Sequence, residues 1–161
     1  MFLFYITIWG GSYMIYSEVV KKAMQIAASA HQGQTDKGGY PYFFHPIHLA
    51  EQMEDEVCTA VALLHDVVED TSWTFADLQQ AGIGEDILAP LKLLTHKQGV
   101  AYMDYIAKIK ENPVARRVKI ADLTHNADLS RLPIITETDK MREKKYHQAL
   151  SLLLDEKENH K

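Results

Sequence analysis

The sequence predicts an all-α domain. Two features carry that reading: apolar residues recur at helical spacing in segment after segment, and capping residues, proline starts and glycine stops bound those segments. A third gives the domain its centre. Residues 60–70, AVALLHDVVED, are apolar on every side until His65, Asp66, Glu69 and Asp70. A helix apolar all round is a core helix. Its last turn is nevertheless acidic, although a helix C-terminus is already electronegative because its final carbonyls lack intrahelical partners. No Lys or Arg lies between Tyr40 and Pro90, so compensation has to come from elsewhere in the fold or from a bound metal. The adjacent His65 favours a metal.

At 161 residues the chain is long enough to close one hydrophobic core, and 47% hydrophobic with 24% charged residues is globular composition. A net charge of −5 argues against broad nucleic-acid binding, which needs a basic face. Cys58 is the lone cysteine and has no disulfide partner, which fits a reducing, cytoplasmic compartment. It reads as a small core residue.

Residues 2–9, FLFYITIW, are too few to span a bilayer and lack the basic start and small-residue cleavage site of a secretory signal. No membrane association is expected, and residues 1–13 read as an extension ahead of one domain over 14–161. Ser17 can cap a first helix reaching about His31, with Val19, Val20, Ala23, Ile26, Ala27 and Ala30 on its apolar face. A loop over 32–44 follows, punctuated by Gly33, Gly38, Gly39 and Pro41. Long loops in compact domains are often functional. This one delivers His45, expected to cap a second helix that Pro46 starts and that runs to about Met53. The central helix should then run from near Glu54 or Asp55 through Asp70.

Thr74 should cap a short helix over 75–81 that Gly82 stops. The next helix begins near Glu85, and Pro90 is expected to bend or restart it before His96. A helix over 102–110 closes at Asn112-Pro113, which cap and start another that runs to about Leu129. There Asp122 and Asn126 share a face one turn apart, and an acid among Ile120, Ala121 and Leu123 should be buried. The last helix, over about 139–155, should turn Met141, Tyr146, Ala149, Leu150, Leu153 and Leu154 toward the core.

His45, the His65-Asp66 pair and Asp122 arrive from three helices and make a plausible site of mixed nitrogen and oxygen ligands. That mixture suits manganese or iron more than structural zinc. Spacing alone does not choose them, because the chain has eight histidines.

The order of a histidine, a His-Asp pair and a late Asp resembles the HD-domain phosphohydrolases, and the flanking letters narrow the resemblance. Ala30-His31-Gln32-Gly33-Gln34, Lys37-Gly38 and Pro41-Tyr42-Phe43-Phe44-His45-Pro46-Ile47 are similar to the opening of the RelA/SpoT-type hydrolase domain. So are Ala62-Leu63-Leu64-His65-Asp66-Val67-Val68-Glu69-Asp70-Thr71 and, later, Val118-Lys119-Ile120-Ala121-Asp122 with His125-Asn126. The three blocks cover most of the chain from about Tyr16 to Leu154. The resemblance implies an HD-domain helical bundle with a metal site between its central helices. Too short for the synthetase and regulatory domains of the long enzymes, the chain resembles a small stand-alone alarmone hydrolase.

That resemblance implies removal of the 3′-pyrophosphate of ppGpp or pppGpp to leave GDP or GTP, with one Mn2+ per chain held by His45, His65, Asp66 and Asp122. Glu69 and Asp70, one turn beyond the His-Asp pair, are assigned to orienting or deprotonating water and to proton transfer. Lys37, Asn126, Arg142 and Tyr146 match nucleotide-contacting positions of the family, and Lys97 is a further candidate. His125 is expected to hydrogen-bond to structure, His31 and His48 to be structural or surface groups, and His96, His147 and His160 to carry no constellation. Two departures stand out: Asp36 replaces the basic residue that usually stacks on guanine, and Leu123-Thr124 replaces Arg-Leu. They leave the metal set whole and the guanine preference open. Another phosphorylated nucleotide, including the 2′-phosphate of NADPH, and a nucleotide-binding module without turnover remain alternatives.

Overall fold

A computed structural model describes residues 14–155; the extension over 1–13 and His160 lie outside the described residues. Ser17 accepts the Val20 amide and starts α1 (Glu18–Ala30), which buries Val20, Ala23, Ile26 and Ala27. The following loop is pinned by an isolated bridge between Thr35 and Pro41 and leads into α2 (Phe44–Ala50). His45 does not cap this helix as expected. It lies inside the first turn behind Phe43, and Pro46 sits where its missing N–H would have no intrahelical partner in any case. The helix also ends at Ala50, short of Met53.

The central run is two helices rather than one. Asp55 accepts the Cys58 amide at the start of α3 (Glu56–Leu64), whose residues from Cys58 to Leu64 are all buried. After His65 and Asp66 the chain resumes as α4 (Val67–Asp70). The break has a local cause: His65 Nδ1 lies 2.8 Å from the Ala62 carbonyl, the acceptor that the Asp66 amide would use in a continuous helix. The Asp66 carboxylate is thereby freed from a regular helical face. Cys58 is a core residue, and burial followed by the neighbouring Asp55 pushes its thiol up to about 12.

A capping box between Thr74 and Asp77 opens α5 (Phe75–Gln80), and Gly82, at φ 86°, turns the chain out of it. The next element, α6 (Glu85–Leu94), continues across Pro90 without restarting. The carbonyl that loses its donor belongs to exposed Asp86 in the first turn, where water can serve it. α7 (Tyr102–Lys110) and α8 (Pro113–Ala127) follow, the latter capped by Asn112 with Pro113 at its start. A 3-10 turn at Leu129–Arg131 separates α8 from α9 (Glu137–Leu154), which opens on a capping box between Thr136 and Asp139. Met141 and Leu154, 64% and 57% exposed, do not join the core. Ala149 and Leu153 do, with Tyr146 and Leu150 packed partly against it.

α3 is the axis of the bundle and packs on α1, α2, α6 and α8, while α9 lies along α8 and α7. This arrangement aims α2, the α3–α4 junction and α8 at one point. Among the described residues no helix is long and apolar enough to cross a membrane.

Candidate metal centre

At that point the residues His45, His65 and Asp122 are 5%, 4% and 4% exposed, and their ligand atoms lie within 4.8 Å of one another. His45 Nε2 is 3.3 Å from both His65 Nε2 and Asp122 Oδ1, and His65 Nε2 is 3.8 Å from Asp122 Oδ1. Asp66 Oδ2 joins them, 2.8 Å from His65 Nε2 and 3.8 Å from His45 Nε2. Ligands held at ~2.0–2.2 Å from one ion stand roughly 3 Å apart, so the set can close on a divalent metal with small adjustments.

The far side of each imidazole tests that fit. His65 Nδ1 donates to the Ala62 carbonyl, leaving Nε2 to face the cluster. His45 Nδ1 lies 2.7 Å from His125 Nδ1, which also receives the Arg131 guanidinium at 3.0 Å. A guanidinium only donates, so His125 Nδ1 accepts, His45 Nδ1 carries hydrogen, and His45 Nε2 offers its lone pair. Burial, then the neighbouring His45 and Arg131, depress His125 to about 4 and keep it a neutral acceptor. Both histidines thus have the orienting partner that metal-ligating histidines require. His125, expected to bond to structure, holds a candidate ligand, and His48 lies over it with ring centroids 4.4 Å apart.

Charge at the cluster is tightly balanced. Asp122 accepts Lys119 Nζ at 2.7 Å on Oδ2 and Asn126 Nδ2 at 2.6 Å on Oδ1. Burial opposes the charge on Asp122, but Lys119 and the two imidazoles hold its carboxyl well below the usual range. Burial likewise opposes charge on Asp66, and His65 prevails, taking it to about 2. Tyr42 donates its hydroxyl to Asp66; burial and that anion push the phenol far up, so it stays a donor.

A cleft of about 380 Å³ opens from Asp66 and Asp122 and is lined by Glu69, Asp70, Tyr102 and Lys119, among others. Glu69 Oε2 accepts the His96 amide at 2.9 Å, so His96 borders the site after all. Burial raises the Asp70 carboxyl, and the negative charges of Asp66 and Glu69 raise it further. A second cavity of about 230 Å³ brings together Lys37, Asn126, Arg142 and Tyr146, and Asn126 and Tyr146 line both spaces. Lys37 and Arg142 both approach Asp139, at 3.1 and 3.7 Å. Lys97 is not gathered with them and lines a separate cavity with Lys92 and Lys108. Asp36, the acid that stands where the family usually has a basic residue, is bound by the Tyr40 amide at 2.9 Å and by Arg131 at 3.1 Å.

Lys119, Lys145, Tyr102 and Arg131 escaped the sequence reading. Lys119 did carry a signal, a cation among apolar residues one turn before Asp122. Arg131 carried none, because it reaches the site from an irregular segment.

No family model matches the chain. Over 121 residues it is 35% identical to the bifunctional (p)ppGpp synthase/hydrolase SpoT of Escherichia coli K12, a match covering 66% of this chain and 17% of that protein. Over 127 residues it is 31% identical to a GTP pyrophosphokinase of Myxococcus xanthus, covering 68% of this chain and 17% of the relative. A solved structure, of a metazoan ortholog of SpoT that hydrolyses ppGpp and plays a role in starvation responses, superposes with a TM-score of 0.69. It is 25% identical, and the match covers 87% of this chain and 88% of that one. The chain is an HD domain of the RelA/SpoT hydrolase type. The match to SpoT spans 17% of that relative's length. The HD domain's all-helical fold agrees with the sequence reading, and its His65-Asp66 pair stands at the bundle's axis.

Proposed function

We propose that this HD domain hydrolyses guanosine 3′,5′-bis(diphosphate) to GDP and pyrophosphate, using one Mn2+ held by His45, His65, Asp66 and Asp122. The observation that carries the reading is the convergence of these four donors, each imidazole turned by its own hydrogen bond, at the mouth of a cleft that also holds Glu69 and Asp70. The likeness to a ppGpp-hydrolysing SpoT ortholog supports ppGpp as the substrate. A divalent ion bound there polarises a phosphoryl oxygen and lowers the pKa of water.

The chain's own groups divide the remaining work. Asp70, whose carboxyl burial and the neighbouring acids raise above its ordinary value, accepts a proton from the attacking water, and Glu69, fixed by the His96 amide, orients it. Tyr42 holds Asp66 by donating to Oδ2, the oxygen that also faces His65, and Lys119 holds Asp122 through Oδ2, the oxygen turned away from the imidazoles. Lys37, Arg142, Asn126 and Tyr146 receive the nucleotide in the cavity next to the metal ligands. The acidic surface average does not prevent this, because the cations cluster locally.

The test is an assay of metal-stripped protein on ppGpp before and after manganese is added, with Asp66→Ala alongside. Manganese-dependent pyrophosphate release by wild type alone supports the reading. NADPH in the same assay tests nucleotide preference: release of phosphate from NADPH without hydrolysis of ppGpp would reassign the substrate.

A further inference from the structure

The cleft beside Asp66 and Asp122 contains donors that the site described above leaves unused. Tyr102, on α7, has a hydroxyl that is buried and, among the described residues, has no hydrogen-bond partner. Leaving such a group unpaired costs free energy, so it marks a place where a partner belongs. Two other hydroxyls along the cleft are committed: Tyr42 donates to Asp66, and Tyr105 donates to the Leu94 carbonyl. Burial pushes the Tyr102 phenol up to about 12, so it is a donor seeking an acceptor.

A cation stands over the same residue. Lys145 Nζ, from α9, lies 4.4 Å from the centroid of the Tyr102 ring and 5.8 Å from that of Tyr146. Lys119, by contrast, is paired with Asp122. Among the described residues Lys145 makes no ion pair. A protonated phenol and an unpaired ammonium in one corner are what a phosphoryl oxygen needs. The acids Asp66, Glu69 and Asp70 on the same cleft would repel an anion unless a divalent ion offsets them.

We propose that Tyr102 and Lys145, with Lys119 nearby, form an anion subsite that takes the terminal phosphoryl group of the substrate's 3′-pyrophosphate. The inference rests on the proposed hydrolysis for the identity of that anion. It makes the cleft the pyrophosphate side of the site and leaves the cavity around Lys37 and Arg142 to the nucleoside and its 5′-phosphates.

Calorimetric titration of inorganic pyrophosphate into the manganese-saturated full chain tests it, with GDP as the control ligand. Tyr102→Phe and Lys145→Gln should each weaken pyrophosphate about tenfold and change GDP affinity less than about twofold. Because the hydroxyl has no partner among the described residues, Tyr102→Phe should melt at or above the wild-type temperature. Pyrophosphate affinity equal to wild type in both variants, equal weakening of GDP, or no pyrophosphate binding by wild type would each overturn the subsite. Binding requires no turnover, so the two readings fail separately. Absence of ppGpp hydrolysis with Tyr102-dependent pyrophosphate binding counts against the reaction alone, and hydrolysis with unchanged binding in the variants counts against the subsite alone.

Discussion

His45 Nδ1 stands 2.7 Å from His125 Nδ1, so a residue outside the candidate ligand set aims one inside it. The arrangement depends on His125 accepting, which the Arg131 guanidinium enforces from the other direction. His125→Phe keeps a ring of similar size and removes the acceptor. Manganese affinity, read by calorimetry, should fall about 10- to 100-fold, the usual effect of losing a partner that orients a ligand. His125→Gln, which retains an acceptor, should recover part of the loss. Unchanged affinity in the Phe variant would show that His45 is aimed by packing alone.

Asp36 and Arg131, 3.1 Å apart, explain how an acid can stand in the loop before the cavity proposed to receive the nucleotide. Burial works against the Asp36 charge, but the Tyr40 amide and Arg131 hold its carboxyl below the usual range. Arg131→Ala exposes that charge to an anionic substrate and also removes the donor to His125. KM for ppGpp should rise about tenfold, and adding Asp36→Asn should restore part of it, since residues in one network couple rather than add. Strict additivity in the double variant would separate the two residues.

Asp55 ties the axis of the bundle to pH. It caps α3 by accepting the Cys58 amide at 2.8 Å. Burial opposes its charge, yet the Cys58 amide and Arg117 hold its carboxyl below the usual carboxylate range. A depressed folded-state value means this stabilisation is complete above the unfolded value and is lost as pH falls through the folded one. Asp55→Asn keeps the cap without the titration, so its thermal midpoint should fall less than wild type's between about pH 5 and pH 2. Asp55→Ala should cost about 1 kcal/mol at neutral pH. Parallel acid profiles for wild type and Asp55→Asn would contradict this.

What was legible in the chain is what is decided locally. Ser17, Thr74 and Asn112-Pro113 start helices where expected because a cap acts on amides two or three residues away. The break at His65 was not legible: it depends on an imidazole outcompeting the next amide for the Ala62 carbonyl, which apolar periodicity does not encode. Met141 follows helical spacing and still faces solvent, because α7 and α8 cover only part of α9. At the site, the His-Asp letters pointed to the cluster that His45, His65 and Asp122 form. Tyr102 and Lys145 were hidden because their meeting depends on α7 and α9 packing together, which no spacing along one helix reveals. Lys97, next to His96 in sequence, shows the converse, since its side chain lines a different cavity.

The most direct measurement of the central claim is pyrophosphate release from ppGpp as manganese is titrated into metal-stripped protein. The account predicts equal amounts of GDP and pyrophosphate, activity that saturates near one manganese per chain, and no release by Asp66→Ala or Asp122→Ala. Release by wild type no greater than that of Asp66→Ala at any manganese concentration would contradict it.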